Sequence, residues 1–542
     1  MSKKTHINKK WNQILKNSIF IVLPWFIIFG IAESIEEYNK SSEYIKIVNY
    51  DKKEHQSPVD HKEFEELQKE FTSPKEVTEA CVSCHNKRHL EVMENAHWTW
   101  DRERVRKNGD TIRSGKRNVL NNYCIATNTN TWKCTSCHIG YGYKDKEFDF
   151  SDYRNIDCMV CHDMTGAYEK EPLGSGFPAS EKEVYVDKTY FPPDYNYIAT
   201  NVGIPKTENC GKCHFFGGGG DNVKHGDLSS DLYHPDKNMD VHMDVGDNGN
   251  AMTCVDCHKT ENHKMLGKLF TLSSGNEGRL SCTECHEEDV HKNNLLNRHN
   301  NKIACQTCHI PEYAKGIYTK MTWDWSTSGK VKEDGSQINE HDSLGYTTYK
   351  SAKGTYVWEN HVIPEYTWFN GTAENMVYGD IIKDTTEVLK INELYGSYED
   401  PHSQIIPMKV HRGKQIFDPV NKMLIVPHVY GHDSTAYSHG LNWDLAAKKG
   451  MDEAGLPFSG QYSFISTEMY WPLNHMVAPT QEALSCTDCH SQNSRLAGLN
   501  GFYMPGRDRS MTLDLLGTLL LLGTFAGILI HAGIRISRKR KK

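Results

Sequence analysis

Apolar side chains are scarce for a chain of 542 residues: they make up 38% of it, and long hydrophobic runs are confined to the two ends. A chain this polar lacks the material for a conventional core. Either it is largely loop without a core, or an apolar group that is not protein fills its interior. Strong charge of one sign is also missing. The formal net charge is −8, and nothing in its distribution suggests a nucleic-acid partner.

Cysteine outside one motif is nearly absent as well, because sixteen of the seventeen cysteines fall in eight copies of C-x-x-C-H. These are Cys81, Cys84 and His85; Cys134, Cys137 and His138; Cys158, Cys161 and His162; Cys210, Cys213 and His214; Cys254, Cys257 and His258; Cys282, Cys285 and His286; Cys305, Cys308 and His309; and Cys486, Cys489 and His490. Chance would give on the order of a few hundredths of one such motif. The pattern is that of covalent haem c: two thioether bonds hold the porphyrin, and the adjacent histidine is carried onto iron. A zinc reading suits a single pair and fails for eight, each followed by histidine. Eight haem c groups are therefore the expected cofactors, and they supply the missing interior.

Haem c is attached outside the cytoplasm, which requires a targeting segment. Residues 1–35 combine a basic flank with an apolar run from about Ile19 to Ala32, and read equally as a cleaved signal peptide or a retained anchor. At the other end, an apolar helix over 511–534 is followed by a basic tail, 535–542. The positive-inside rule puts that tail in the cytoplasm and the haem body on the periplasmic side of a bacterial inner membrane. His531 lies inside the apolar run, and Gly523 and Gly527 allow close helix packing.

Between the ends, 36–78 reads as a charged tether closing in a short helix, and 79–315 as a seven-haem core. The motif-free stretch 316–480 reads as irregular loops and short hairpins covering the haems and walling one pocket, and 481–508 as the eighth haem segment. The expected fold class is a multihaem cytochrome c, mainly α-helix and loop wrapped around stacked haems, with little β-structure.

Twenty histidines remain beyond the motifs. Seven have the best context as distal iron ligands: His97, His225, His242, His263, His291, His299 and His475. His234, His402, His411, His428, His432 and His439 rank lower, and His6 and His55 lower still. Beside His225 stands Lys224, after four glycines (217–220) that let the backbone turn sharply. Neighbouring side chains of an extended segment point to opposite sides, so the pair can serve two haems. A buried amine loses its proton more easily, which suits it to bind iron. Lys144, six residues beyond His138, is the rival lysine. Cys124, the thiol free of haem duty, is either a buried structural cysteine or a group able to exchange with a polysulfur substrate.

The seven-plus-one motif layout, "NNYCIATN" ahead of "CTSCHIGYGYKD", "CGKCHFFGGGGDNVKHGD", "PMKVHRGKQ" and "LNHMVAPTQEALSCTDCH" resemble the octahaem tetrathionate reductase family over about residues 79–508. The resemblance implies a haem arrangement shared with hydroxylamine oxidoreductases and pentahaem nitrite reductases. It also implies one catalytic haem, at the second motif, with a lysine as axial ligand. Mapped here, that haem belongs to Cys134, Cys137 and His138, with Lys224 as first choice of lysine and Asn121 and Cys124 beside the pocket. Lys409 and Arg412 are expected as anion-binding cations.

The expected activity is reduction of a small inorganic sulfur or nitrogen compound: tetrathionate, nitrite or hydroxylamine. Electrons would come from a membrane quinol-oxidising partner such as a cytochrome b, and the sequence leaves room for a homo-oligomer. The alternatives are a non-catalytic electron carrier linking the quinone pool to another redox protein, or oxidation of hydroxylamine or a sulfur compound in the reverse direction.

Overall fold

The haem motifs fold as single helical turns, and the residues around each cysteine pair explain why. In Cys254–Cys257, Cys282–Glu284 and Cys486–Cys489 the preceding Thr253, Ser281 or Ser485 caps the turn, and an acid inside the motif (Asp256, Glu284, Asp488) reaches back to the cap's N–H. This reciprocal cap satisfies the orphan donors of so short a helix and sets the two cysteines on one face, three residues apart. The first motif ends a longer helix, Pro74–Cys84, started by Ser73 as cap and proline at its first position.

The computed structural model describes residues 59–185, 188–247, 249–265, 267, 280–431 and 433–539. The expected signal or anchor (1–35), the tether up to residue 58, His6, His55, His432 and the last three residues of the basic tail lie outside the described residues.

The stretch 316–480, expected as irregular loop, instead builds a nine-stranded sheet, so little β-structure was the wrong expectation. The long strand Gln404–Asp418 is its centre. On one edge it pairs antiparallel with Ser463–Pro472. On the other its first half meets Glu365–Phe369 antiparallel and its second half meets Thr319–Asp324 in parallel. Gly354–Glu359, Thr347–Lys350 and Asn339–His341 extend the sheet beyond Thr319–Asp324. The period-two signal was hidden because the central strand is buried on both faces over most of its length, with Lys409 and His411 among its wholly buried residues. A charged residue inside a strand breaks the alternation on which recognition depends.

The largest apolar cluster belongs to this sheet, joined by residues 120–126, by 423–429 and by the helix Trp443–Ala454. Around the motifs the apolar clusters are small. The half that carries the motifs thus has little protein core, as its composition requires. A final helix, Met511–Lys539, stands clear of the body, and an 18-residue window within Met511–Arg538 has a mean hydropathy of 2.1. At 1.5 Å per residue it runs about 43 Å, long and apolar enough to cross a membrane.

Candidate active site

Seven motif histidines each face a second histidine. The pairs are His85 with His61, His162 with His263, His214 with His97, His258 with His475, His286 with His242, His309 with His291 and His490 with His299, with ring centroids 6.0–6.4 Å apart. Two metal–nitrogen bonds of about 2 Å plus two ring radii of about 1.2 Å give about 6.4 Å, so the spacing fits an iron held between two imidazoles. Burial lowers His97 to about 4, and His214 and His309 to about 3 and 4, keeping these rings in the neutral form that binds metal.

The distal rings are oriented from behind. Nδ1 of His97 meets Asn95 Oδ1 at 3.1 Å, that of His263 meets Glu91 at 2.8 Å, and that of His475 meets Asp227 at 3.2 Å. Each contact leaves Nε2 free to face the partner ring. Burial opposes protonation of His475, yet the hydrogen bond and charge of Asp227 leave it raised overall.

One of the seven expected ligands is corrected by this geometry. His225 faces no motif histidine; its ring packs edge-on against Trp471 at 5.0 Å. His61 takes its place, from a stretch expected to be tether. It lines a cavity of about 400 Å³ with Met164, Tyr197 and Val202. None of His234, His402, His411, His428 and His439 pairs with a motif ring among the described residues. His411 is wholly buried against Tyr123, at 4.6 Å.

The cysteine sulfurs trace the order of the sites. Cys81 lies beside Cys158, Cys137 beside Cys213, Cys210 beside Cys254 and Cys282 beside Cys305. Cys161 lies in electrostatic range of Cys210, Cys257 of Cys285 and Cys308 of Cys489. The motifs therefore follow one another as first, third, fourth, fifth, sixth, seventh and eighth, with the second branching from the fourth.

The branch is where the chemistry differs. Among the described residues His138 has no histidine partner; Trp98, Trp100, Tyr143, Phe148 and Phe150 surround its buried ring. Its Nε2 lies 2.6 Å from the Trp98 carbonyl. A carbonyl only accepts, so Nε2 carries the proton and is the donor, which withdraws the nitrogen expected on iron. Nδ1 has no partner.

Lys224 lies within electrostatic reach of Cys137 on this branch. Burial and then repulsion from Lys116 lower its ammonium to about 8, with Cys137 acting the other way. Its Nζ sits 4.7 Å from the Trp471 ring centroid, and its carbonyl accepts from the Tyr123 hydroxyl at 2.8 Å. Of the four glycines, Gly217 and Gly218 have a direct reason to be glycine. A Cβ at Gly217 would meet Lys224 Cδ at 3.1 Å; at Gly218, φ +79°, it would meet Val223 at 2.9 Å and Tyr123 at 3.2 Å. Lys144, the rival, is exposed.

Tyr123 is followed by Cys124, whose Sγ lies 3.5 Å from the Tyr430 hydroxyl. Ile125 beside it holds φ +69°, a costly value for a β-branched residue and one that recurs at functional sites. The turn is pinned to the sheet: Trp325 Nε1 donates to the Tyr123 carbonyl at 3.0 Å, and Gln415 Nε2 to the Asn121 carbonyl at 2.7 Å. The Asn121 side chain accepts from the Tyr123 N–H at 2.9 Å, so it shapes the turn.

The two cations expected for an anion are engaged elsewhere. Lys409 is buried and donates to the Val223 carbonyl and to Thr319 Oγ1 at 2.7 and 2.5 Å, while Arg412 pairs with Glu365 at an exposed site. Lysines that sequence reasoning missed surround Tyr430 instead, with Lys133 and Lys353 4.7 and 5.4 Å from its ring.

A crystal structure of an octahaem cytochrome c from Shewanella oneidensis is 41% identical and superposes with a TM-score of 0.73, covering 82% of this chain and 97% of that one. This chain belongs to the multihaem c-type cytochromes. Residues 320–493 of this cytochrome also match the family described as bacterial cytochrome c, a span that takes in most of the sheet and the last motif. An uncharacterised protein of Archaeoglobus fulgidus is 26% identical over 227 residues, 35% of this cytochrome and 75% of the relative. Haem c is thus covalently bound, and the seven histidine pairs and the motif cysteines are the residues that fit it.

Proposed function

We propose that this cytochrome holds eight haem c groups and is a membrane-anchored reductase of the octahaem tetrathionate reductase type. Electrons arrive through the eighth site from a quinol-oxidising membrane partner, and the second site reduces a small inorganic sulfur or nitrogen compound: tetrathionate, nitrite or hydroxylamine. The haem body faces the periplasm and the helix 511–534 lies in the inner membrane, with its basic end in the cytoplasm.

The observation that carries this reading is the contrast between His138 and the other seven motif histidines. Seven sites have two imidazoles ready and no face for a guest. At the second, the motif histidine donates to a carbonyl, and a half-buried lysine lies within electrostatic reach of Cys137. When bound there, haem supplies an iron open to a ligand and electrons from the fourth site. The protein's own part is to hold the Lys224 ammonium over Trp471 with its carbonyl fixed by Tyr123, and to set Cys124 beside Tyr430.

A second reading has its own support. The relay from first to eighth motif is continuous without the second, as a carrier between the membrane and another redox protein would need. Electron paramagnetic resonance and optical spectra of the purified protein, with and without nitrite, hydroxylamine or tetrathionate, separate the two. The reductase reading expects one haem of eight to respond, and Lys224→Ala to alter that signal while Lys144→Ala leaves it. Eight haems indifferent to all three compounds would favour the carrier.

A further inference from the structure

Lys320 is 6% exposed, yet its ammonium has no carboxylate partner among the described residues. Three aromatic faces enclose it: Tyr356 at 3.7 Å, Trp323 at 4.1 Å and Trp358 at 4.8 Å from Nζ to the ring centroids. The backbone is bent to achieve this. Between Thr319–Asp324 and Gly354–Glu359 the register runs Tyr356 to Trp323 and Val357 to Thr322, then skips Met321 to pair Trp358 with Lys320. Without that bulge Lys320 and Trp323, three apart, would point to opposite faces. The extra residue turns both to the face of Tyr356 and Trp358.

The same face leads to the second haem site. Lys353 Nζ lies 5.8 Å from the Trp323 ring and 5.4 Å from Tyr430, the ring that Lys133 also approaches and whose hydroxyl contacts Cys124. Three ammonium groups thus gather around one thiol and one phenol. The groups that face Lys320 electrostatically are Lys353, Cys124, Lys409 and Lys350; those facing Lys353 are Cys124, Lys133, Lys350 and Cys134. No carboxylate is among them. Cys134 is tied to haem, which leaves Cys124 as the one free thiol among them.

We propose that Lys320, with Lys353 and Lys133, forms a receptor for an inorganic anion beside Cys124, and that Lys320 sets the preference for anionic over neutral guests. This deepens the reductase reading and rests on it. Removing an ammonium from water costs several kcal/mol, and aromatic faces return only part of that. A fold that bends a strand to bury one without a counter-ion is completed by an incoming negative charge. Burial, and then repulsion among the lysines, holds Lys353 at about 8 and Lys320 well below its ordinary value. An anion reverses that balance, so it binds together with a proton.

The test uses the full-length, haem-loaded protein and the sodium salts of nitrite and sulfite, with hydroxylamine as the neutral guest. Calorimetry in buffers of different ionisation enthalpy should show proton uptake with the anions near pH 8 and weakening affinity above it. Lys320→Met should weaken anion binding about tenfold or more, reduce the proton uptake and affect hydroxylamine less; Lys320→Arg should restore part of the anion affinity. Lys353→Met, at a less buried position, provides a second variant, and haem content and absorption spectrum report folding. Anion affinity unchanged in both methionine variants, or equal losses for anion and neutral guest, would overturn the receptor. Because binding is read without turnover, that failure is distinct from failure of the reductase reading, which the response of the second haem decides.

Discussion

Asn95 holds His97 by two atoms: its Oδ1 accepts the backbone N–H at 2.8 Å and meets ring Nδ1 at 3.1 Å. Asp240 accepts the N–H of His242 in the same way at 2.8 Å. An Asn or Asp also stands two residues before His291 and His299, and directly before His61, His263 and His475. His225 follows a lysine instead. From this, His61→Met is expected to convert the first haem from two-imidazole coordination, giving one altered haem signal in the reduced-minus-oxidised and magnetic spectra, whereas His225→Ala leaves all seven paired haems as they were. Loss of a paired-haem signal in His225→Ala would contradict the assignment. Six of the seven histidines that face motif rings were singled out by the sequence because they sit among the motifs. His61 was not, because a charged, patternless stretch gives no reason to look for a ligand, and only the acid-then-histidine pairing marks it. The lysines near Cys124 were invisible for a related reason: Lys320 and Lys353 are 33 positions apart and are brought together only through strand pairing and a bulge.

At the scale of the element, the turn after the four glycines does more than carry Lys224. Gly226 has φ +88°, and a Cβ there would lie 2.6 Å from the Tyr313 ring and 3.0 Å from Lys409 Cδ. Its neighbour Asp227 accepts from the N–H groups of Asn474 and His475 at 2.7 and 3.0 Å. One short turn thus fixes the lysine of the second site and the distal histidine of the fifth. Gly226→Ala combines left-handed strain with overlap and is expected to cost about 1–3 kcal/mol. It should lower the thermal midpoint and disturb the spectra of both haems. Gly219→Ala, with φ +95° but nothing within 4 Å, should carry the strain alone, about 1 kcal/mol. Equal effects of the two would show that the contact with Tyr313 and Lys409 does not hold the turn. The sheet beneath was illegible as a sheet because its central strand buries both faces; the helical turns of the motifs were legible because their caps are local.

Across the whole molecule, the proposed entry of electrons at the eighth site rests on that site's place in the chain. His490 Nδ1 meets the Pro505 carbonyl at 2.9 Å, and Gly506 is held so tightly that a Cβ would lie 2.4 Å from the His490 carbonyl. Six residues after Pro505 the chain enters the helix Met511–Lys539. Even fully extended, so short a link spans only about 20 Å, so a membrane crossed by that helix has the eighth site at its surface and the first at the far end of the relay. The second site, branching from the fourth, then receives electrons only after they pass the eighth, seventh, sixth, fifth and fourth. Truncation after Ser510 is therefore expected to release the body from membranes with its haem content and its dithionite-reduced spectrum intact, while reduction by quinol in membrane preparations is lost. Dye-driven activity at the second site should survive, because a soluble donor can reach the relay without the helix. Quinol-driven reduction at the full rate in the truncated protein would place electron arrival elsewhere on the body and remove the functional reason for the eighth motif's position.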